Sequence, residues 1–419
     1  MSALNHARRS AAGFTLVELM VALTGGLFIS LAVFALARDS GRFYQREARI
    51  ANATIGGLLG FERLRKDIAR AGFMSSPNIN QDIRQCGPTN ATWPLNLRNL
   101  ASIRVSGPGI VYPILGANNR TQQQVLLSGA YTSSDMYPVT VKTLGGATTI
   151  FRLQDSEPAA LRLGGGSNPT QAMMDIAFPA GRGLRIVSYG RTYYGQIVGA
   201  TGAPADLTVS VSSSPPIQSS DGNPCGLKPI NSNVLPMISV VNFVHYDLRN
   251  LSSDAQTPQG QATYASLYTN SAQGPGEATR TELVRVEQDV NGNAIPFTEE
   301  IVAEYAVDFN VQLNAVTAIS NLVDPVVSTI TSTDALFAGF TGLSSIPGNR
   351  PDRIRSVRVR LGVRSREGDR DDTIADATGN GLFRFNLGVG GPGTVDAYAR
   401  VRTFQADVAL HNQADILWP

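Results

Sequence analysis

The segment FTLVELMVALTGGLFISLAVFALA, from Phe14 to Ala37, constrains this chain more than any other. It is predominantly apolar and carries one formal charge, Glu18. A helix of this length, rising about 1.5 Å per residue, covers a hydrocarbon core about 30 Å thick. The preceding residues 1–13, MSALNHARRSAAG, are basic and contain no acid. Arg8 and Arg9 on that side favour a cytoplasmic N-terminus and an exported body. A secretory signal peptide fits poorly. Its apolar core runs about 7–15 residues and ends in a small-residue cleavage site, whereas Ala11, Ala12 and Gly13 come before this longer run. A plain single-pass anchor fits the length and leaves Glu18 unexplained. A carboxylate in lipid costs about 2.5–3.5 kcal/mol near a helix centre, and less near its end.

A cut between Gly13 and Phe14 accounts for both features. It removes the basic leader and creates an ammonium on Phe14, four residues before Glu18 and on the same helix face. The amine of a neighbouring helix is an equally good partner. In a staggered bundle of identical helices, such buried polar pairs fix register. Gly13-Phe14-Thr15-Leu16-Val17-Glu18 with its apolar run resembles the class III leader of type IV pilins and pseudopilins. That resemblance implies cleavage after Gly13 by a prepilin peptidase, methylation of the Phe14 amine, and use of Glu18 in filament assembly. Gly25-Gly26 reads either as a close helix-packing site in the membrane or as a weak point that unwinds when the subunit leaves the bilayer.

Beyond Ala37 the chain turns polar. Leu58, Phe61, Leu64, Ile68 and Ala71 recur at helical spacing, with Glu62, Arg63, Arg65, Lys66 and Asp67 mostly elsewhere. This predicts an amphipathic helix that docks on the body and stops at Gly72, with a possible kink at Gly56-Gly57. The stretch LLGFERLRKDIARAGF resembles the corresponding segment of PilW-type minor pilins.

From residue 73 onward, short strand patterns alternate with turn signals. Examples are SDMYPVTVKTLGG, RGLRIVSYG, DLTVSVSS, MISVVNFVHYDLR, EEIVAEYAVDFNVQL and RVRTFQADVAL. Alternation is clearest in Val357, Val359, Leu361 and Val363, with Arg358, Arg360 and Arg364 on the other face. SDMYPVTV, TELVRV, EEIVAEYAVDFNVQL and RSVRVRLGVRS again resemble PilW-type proteins. The expected fold is α+β: a long N-terminal helix, transmembrane in its first half, packed on an antiparallel β-sheet body. The expected segments are a leader (1–13), a membrane half-helix (14–37), an amphipathic half-helix (38–72), a β-rich part with insertions (73–235) and a second β-rich part (236–419). A soft boundary falls in SSSPPIQSSDGNPCG, 212–226. The body is longer than a bare pilin sheet needs, and parts of 86–235 and 315–350 are where a specific surface would lie.

The charge balance narrows function further. Thirty-five Lys and Arg face 33 Asp and Glu, and Arg8 and Arg9 lie in the leader. A mature chain would thus be neutral, which argues against bulk nucleic-acid binding. The arginines of RIRSVRVRLGVRSREGDR read as the solvated face of a strand, offset by Asp369, Asp371 and Asp372. Cys86 and Cys225 are the only cysteines and share the exported side, where a disulfide closing a loop of about 140 residues is expected; two buried free thiols are the alternative. Only His245 and His411 remain outside the leader, and His245 sits in an alternating strand pattern. No HExxH, CxxC or phosphate-loop pattern occurs, so no enzyme is expected. In DVNGNAIPFTEE, Asp289, Asn291, Asn293 and Glu300 occupy positions 1, 3, 5 and 12 of a calcium loop. Ala294 stands where that loop needs Gly, and a hairpin turn on Asn291-Gly292 is the other reading. GDRDDTIADATGNG, 368–381, is similarly acid-rich.

Together these readings imply a minor pilin of a type IV pilus. It would cross the inner membrane once, be processed by the prepilin peptidase, and join an initiation or tip complex with other minor pilins and the major pilin. The rivals are a type II secretion pseudopilin and a pilus-borne adhesin or DNA receptor.

Overall fold

The computed structural model describes residues 15–413 apart from 88, 90, 108–110, 119, 121, 145, 155–157, 166–168, 204–205, 218–224, 228–234, 252–279, 321–322, 333, 335–336, 338–349, 369–383 and 388–397. The chain divides into two compact units, Met1–Asn52 and Ala53–Pro419. A single helix, α1 (Leu16–Arg70), runs through 55 residues from the first into the second. It is continuous across Gly25-Gly26 and across Gly56-Gly57, so the expected kink is not there.

Within the second unit, α1 buries Phe61, Leu64, Ile68 and Ala71. Leu58, expected in this stripe, is exposed. Gly57 takes the inward position instead: a Cβ there would lie 2.7 Å from side-chain atoms of both Phe404 and Val363. Gly60 sits closer still, where a Cβ would come within 2.1 Å of the Val302 carbonyl oxygen. The helix ends as its last residues predict. Gly72 adopts φ +78°, a left-handed conformation that glycine takes at little cost, and its N–H donates to Ser128 O at 2.8 Å.

The body is built on strand β8 (Met237–Arg249). Its C-terminal half pairs with β2 (Gln124–Gly129) on one side and β9 (Glu282–Gln288) on the other. Beyond these lie β1 (Ile103–Ser106), paired with β2, and β10 (Glu300–Ala303), paired with β9. Its N-terminal half enters a different arrangement. There β8 meets β3 (Tyr137–Thr143), and the order continues through β4 (Thr148–Leu153), β7 (Asp206–Ser212), β6 (Arg191–Ala203) and β5 (Gly183–Ser188), which pairs back onto β8. Six strands therefore close into a ring, which leaves no open edge among them. Its interior holds Val139, Phe151, Ile186, Ile197, Val209 and Ile238, all at or near zero exposure. The short helices α4 (Pro158–Leu163) and α5 (Gln171–Ala177) lie in the connection between β4 and β5, and Met174 of α5 joins this core. Two further short helices, α2 (Leu95–Arg98) and α3 (Pro113–Ala117), flank β1.

A second sheet follows in the order β12 (Val323–Ile330), β11 (Ala306–Ser320), β13 (Ile354–Arg364), β15 (Tyr398–Ala409), β14 (Arg384–Asn386). Every pairing between these strands, in both sheets, is antiparallel. One core unites the end of α1 with both sheets, through Val125, Leu127 and Val244 on one side and Phe309, Val359 and Leu361 on the other. The architecture is α+β, a long apolar helix with an antiparallel β body.

EEIVAEYAVDFNVQL, read as one strand, is two. The chain leaves β10 at Glu304-Tyr305 and enters β11 in the other sheet, with Tyr305 at φ +53°. This strained turn is held from several sides. Glu282 accepts the Tyr305 N–H at 2.8 Å and also pairs with Arg280. The Arg280 and Arg364 guanidinium carbons lie 4.3 and 5.1 Å from the Tyr305 ring centroid. Arg364, expected on a solvated face, is fully buried at this point. Its companions behave as strand-face charges: Arg358 pairs with Asp407 at 2.9 Å and Arg360 with Asp308 at 2.6 Å. Asp369, Asp371 and Asp372, expected to offset them, lie outside the described residues. Burial pushes the Glu282 carboxyl up to about 7, against the pull of Arg280.

Candidate functional site

Helix α1 begins with an interaction that its sequence encodes. Thr15 is the N-cap, and Glu18 follows three residues later. The Thr15 N–H and hydroxyl both donate to Glu18 Oε2 at 2.9 Å, and the Glu18 N–H donates to Thr15 Oγ1 at 3.2 Å. This is a reciprocal capping box. It satisfies N–H groups that a helix start otherwise leaves open, and it places the carboxylate at the positive end of the helix dipole. Thr15-Leu16-Val17-Glu18 is the T-x-x-E signature of that motif, a signal that reading Glu18 only as an assembly charge passes over. Gly13 and Phe14 lie outside the described residues.

The apolar half of α1 is suited to lipid or to other helices. Leu16, Met20, Leu23, Phe28, Leu31 and Phe34 are all exposed. This helix is long and apolar enough to cross a membrane. Its hydroxyls are satisfied internally: Thr24 donates to Met20 O and Val21 O at 3.0 Å, and Ser30 to Gly26 O at 2.8 Å. A span in hydrocarbon requires this, because no water is there to take up a free donor. A Cβ on Gly25 or Gly26 would meet nothing within 4 Å, which leaves a smooth helix face.

Residues 8–24 match the prokaryotic N-terminal methylation motif. No curated protein and no solved structure matches the chain. Motif and apolar helix together support a type IV pilin- or pseudopilin-like protein, and they fit membrane anchoring by α1 with the body on its C-terminal side.

The body end of α1 carries a second polar arrangement. Asp67 is 4% exposed. Its Oδ2 accepts from Tyr246 Oη of β8 and from Arg285 Nε of β9, both at 2.8 Å. The Tyr131 hydroxyl donates to the Asp67 carbonyl, also at 2.8 Å. Helical spacing sets Asp67 among the charges mostly off the apolar stripe, yet the side chain is buried. A cross-sheet partner, Arg285, cannot be paired with it from spacing alone.

The remaining candidates separate. Cys86 and Cys225 form a disulfide with Cα atoms 5.3 Å apart, against the core of the ring. In the segment that matches calcium-loop spacing, Asp289, Asn291 and Asn293 come together, but as a turn. Asp289 Oδ1 accepts the N–H groups of Asn291 and Asn293 at 2.9 and 2.8 Å, and Asp289 Oδ2 accepts from Asn293 Nδ2 at 3.1 Å. Gly292, at φ +93°, closes the turn. Glu300 lies in β10 and faces Arg63 at 3.6 Å and Arg285 at 3.8 Å. Among the described residues no three His, Cys, Asp or Glu are placed to hold a metal ion. Most of 368–381 falls outside them.

Proposed function

We propose that this chain is a minor pilin of the PilW type that assembles into a type IV pilus. It is inserted once in the inner membrane, cut between Gly13 and Phe14 by a prepilin peptidase, and methylated on Phe14. It then joins an initiation or tip complex with other minor pilins and the major pilin. The apolar half of α1 packs in the filament's helical bundle, and Glu18 meets a Phe14 ammonium there. The methylation motif running directly into an exposed apolar helix carries this reading. The body provides the partner surface and no catalysis.

The deciding measurement is the mass of the N-terminal peptide from native membranes, with and without the peptidase. A peptide starting at Phe14 with one added methyl, absent without the peptidase, is expected; an intact leader in both samples would refute the reading. The motif is shared with pseudopilins of type II secretion, so a deletion strain separates the two. Loss of pili and twitching supports the pilus, and loss of exoprotein secretion with pili intact rejects it.

A further inference from the structure

The open sheet of the body has a polar pocket on its surface, away from the core that covers α1. Its origin is the register. Arg104 of β1 lies opposite Leu126 of β2, which lies opposite His245 of β8. Directly paired residues in an antiparallel sheet share a face, so these three form one cross-strand row. Ser106 and Gln124, paired one step along the same face, form the next. Helix α2 and the β9–β10 turn wall the row with Asn96, Gln288 and Gly292, enclosing about 250 Å³.

The charge of this pocket is unbalanced. Arg104 Nη2 donates to Asn96 Oδ1 at 2.5 Å. The other four guanidinium N–H groups have no acceptor among the described residues. None of the lining residues is acidic, and desolvation alone lowers the Arg104 pKa to about 10. Three other arginines of this body do have a carboxylate: Arg285 has Asp67, Arg182 has Glu287 and Arg249 has Asp247. Arg104 is half-buried, and a cation partly withdrawn from water with no carboxylate beside it is stabilised by a ligand that supplies the opposite charge. Burial, with Arg249 and Arg104, holds the pKa of the His245 imidazole below its ordinary value against the pull of Asp247, whose Oδ1 lies 3.9 Å from its Nδ1. His245 Nε2 lies 3.3 Å from Gln124 Oε1, in hydrogen-bonding contact.

We propose that this pocket binds a small carboxylic acid, with its carboxylate on Arg104. A guanidinium matches a carboxylate with parallel N–H donors. The carboxamides of Asn96, Gln124 and Gln288 suit polar substituents, and Leu126 supplies an apolar floor. One cation favours a monoanion over phosphate. The volume lies below the roughly 300–1,000 Å³ of drug-sized sites, so the ligand is small. The inference does not depend on the assembly role of α1.

The test uses the full chain in detergent, with histidine labelled for NMR; His245 reports directly because only His6 and His411 accompany it. Acetate and benzoate are the probes, with acetamide and inorganic phosphate as controls. A saturable shift of the His245 signal with a carboxylate, and none with acetamide, is expected. Arg104→Gln should weaken that binding at least tenfold with the thermal transition retained. Ser106→Trp, which adds bulk at a half-buried edge-strand position, should do the same if Arg104→Gln fails to fold. No saturable shift at tens of millimolar, tighter binding of phosphate, or unchanged affinity in a folded variant would each overturn the proposal.

Discussion

Glu18 has two duties that substitution can separate. Its carboxylate closes the capping box with Thr15, and in the proposed filament it also neutralises an ammonium. Glutamine can serve as the third residue of a capping box but carries no charge. Glu18→Gln should therefore leave membrane insertion and processing intact while abolishing pilus assembly. Thr15→Ala, which loses the cap at a cost of about 1 kcal/mol and keeps the charge, should still assemble. Counting surface pili in both strains decides the matter; pili in the Gln strain would assign Glu18 to capping alone. A different carboxylate governs the response to pH. The folded-state pKa of Glu282, raised to about 7 from 4.5, means that the native protein holds this proton where the unfolded chain has lost it. Its contribution is thus complete below about pH 4.5 and is lost as pH rises through 7. Denaturant midpoints at pH 5 and pH 8 should show Glu282→Gln relieved of this loss by a few kcal/mol. An identical pH slope in both proteins would mean Glu282 is ionised throughout.

The elements differ in how far the sequence announced them. Helix α1 was legible from its apolar run, its 3.6-residue stripe and Gly72, because each is a local signal. So was β13, through the alternation of Val357, Val359, Leu361 and Val363. The break at Tyr305 was not: no Gly or Pro marks it, and the positive φ is held by Arg280, Glu282 and Arg364, which lie far apart in sequence. The inward glycines of α1 were equally hidden, since Gly57 and Gly60 look like helix weak points until Val302 and Phe404 are seen against them. This gives a clean contrast. Gly56→Ala meets nothing within 4 Å and should gain up to about 1 kcal/mol of helix propensity. Gly60→Ala drives a methyl into a backbone carbonyl that cannot swing away, and the crowding cost of about 1–3 kcal/mol should win. Thermal melts that rank the two variants the other way would show that α1 does not lie against β10 as described.

On the scale of the whole molecule, the antiparallel body could be anticipated from its strand patterns, but its division into ring and open sheets could not. Ring closure depends on β8 pairing with β3 at Tyr137 and with β5 at Gly183, contacts that span up to about a hundred residues and leave no periodic trace. The same holds for the pocket at Arg104, whose row of side chains exists only through the register of three strands. The Cys86–Cys225 disulfide encloses nearly all of the ring, at a sequence separation of 139. By the chain-entropy argument Cys86→Ser should cost up to about 4–5 kcal/mol, measured as a fall in denaturant midpoint. A change below about 1 kcal/mol would show that the ring needs no such closure.

The shared strand β8 also decides where mechanical load travels. A pull along α1 would reach the body through its buried apolar face and the chain beyond Gly72, and also through Asp67, which bonds Tyr246 in the C-terminal half of β8 and Arg285 in β9. The ring hangs from the other half of β8, beyond that anchorage. It is also tied to β9 by the buried Arg182–Glu287 pair, so a change in the shape of the ring would be felt at the strand that holds Arg285.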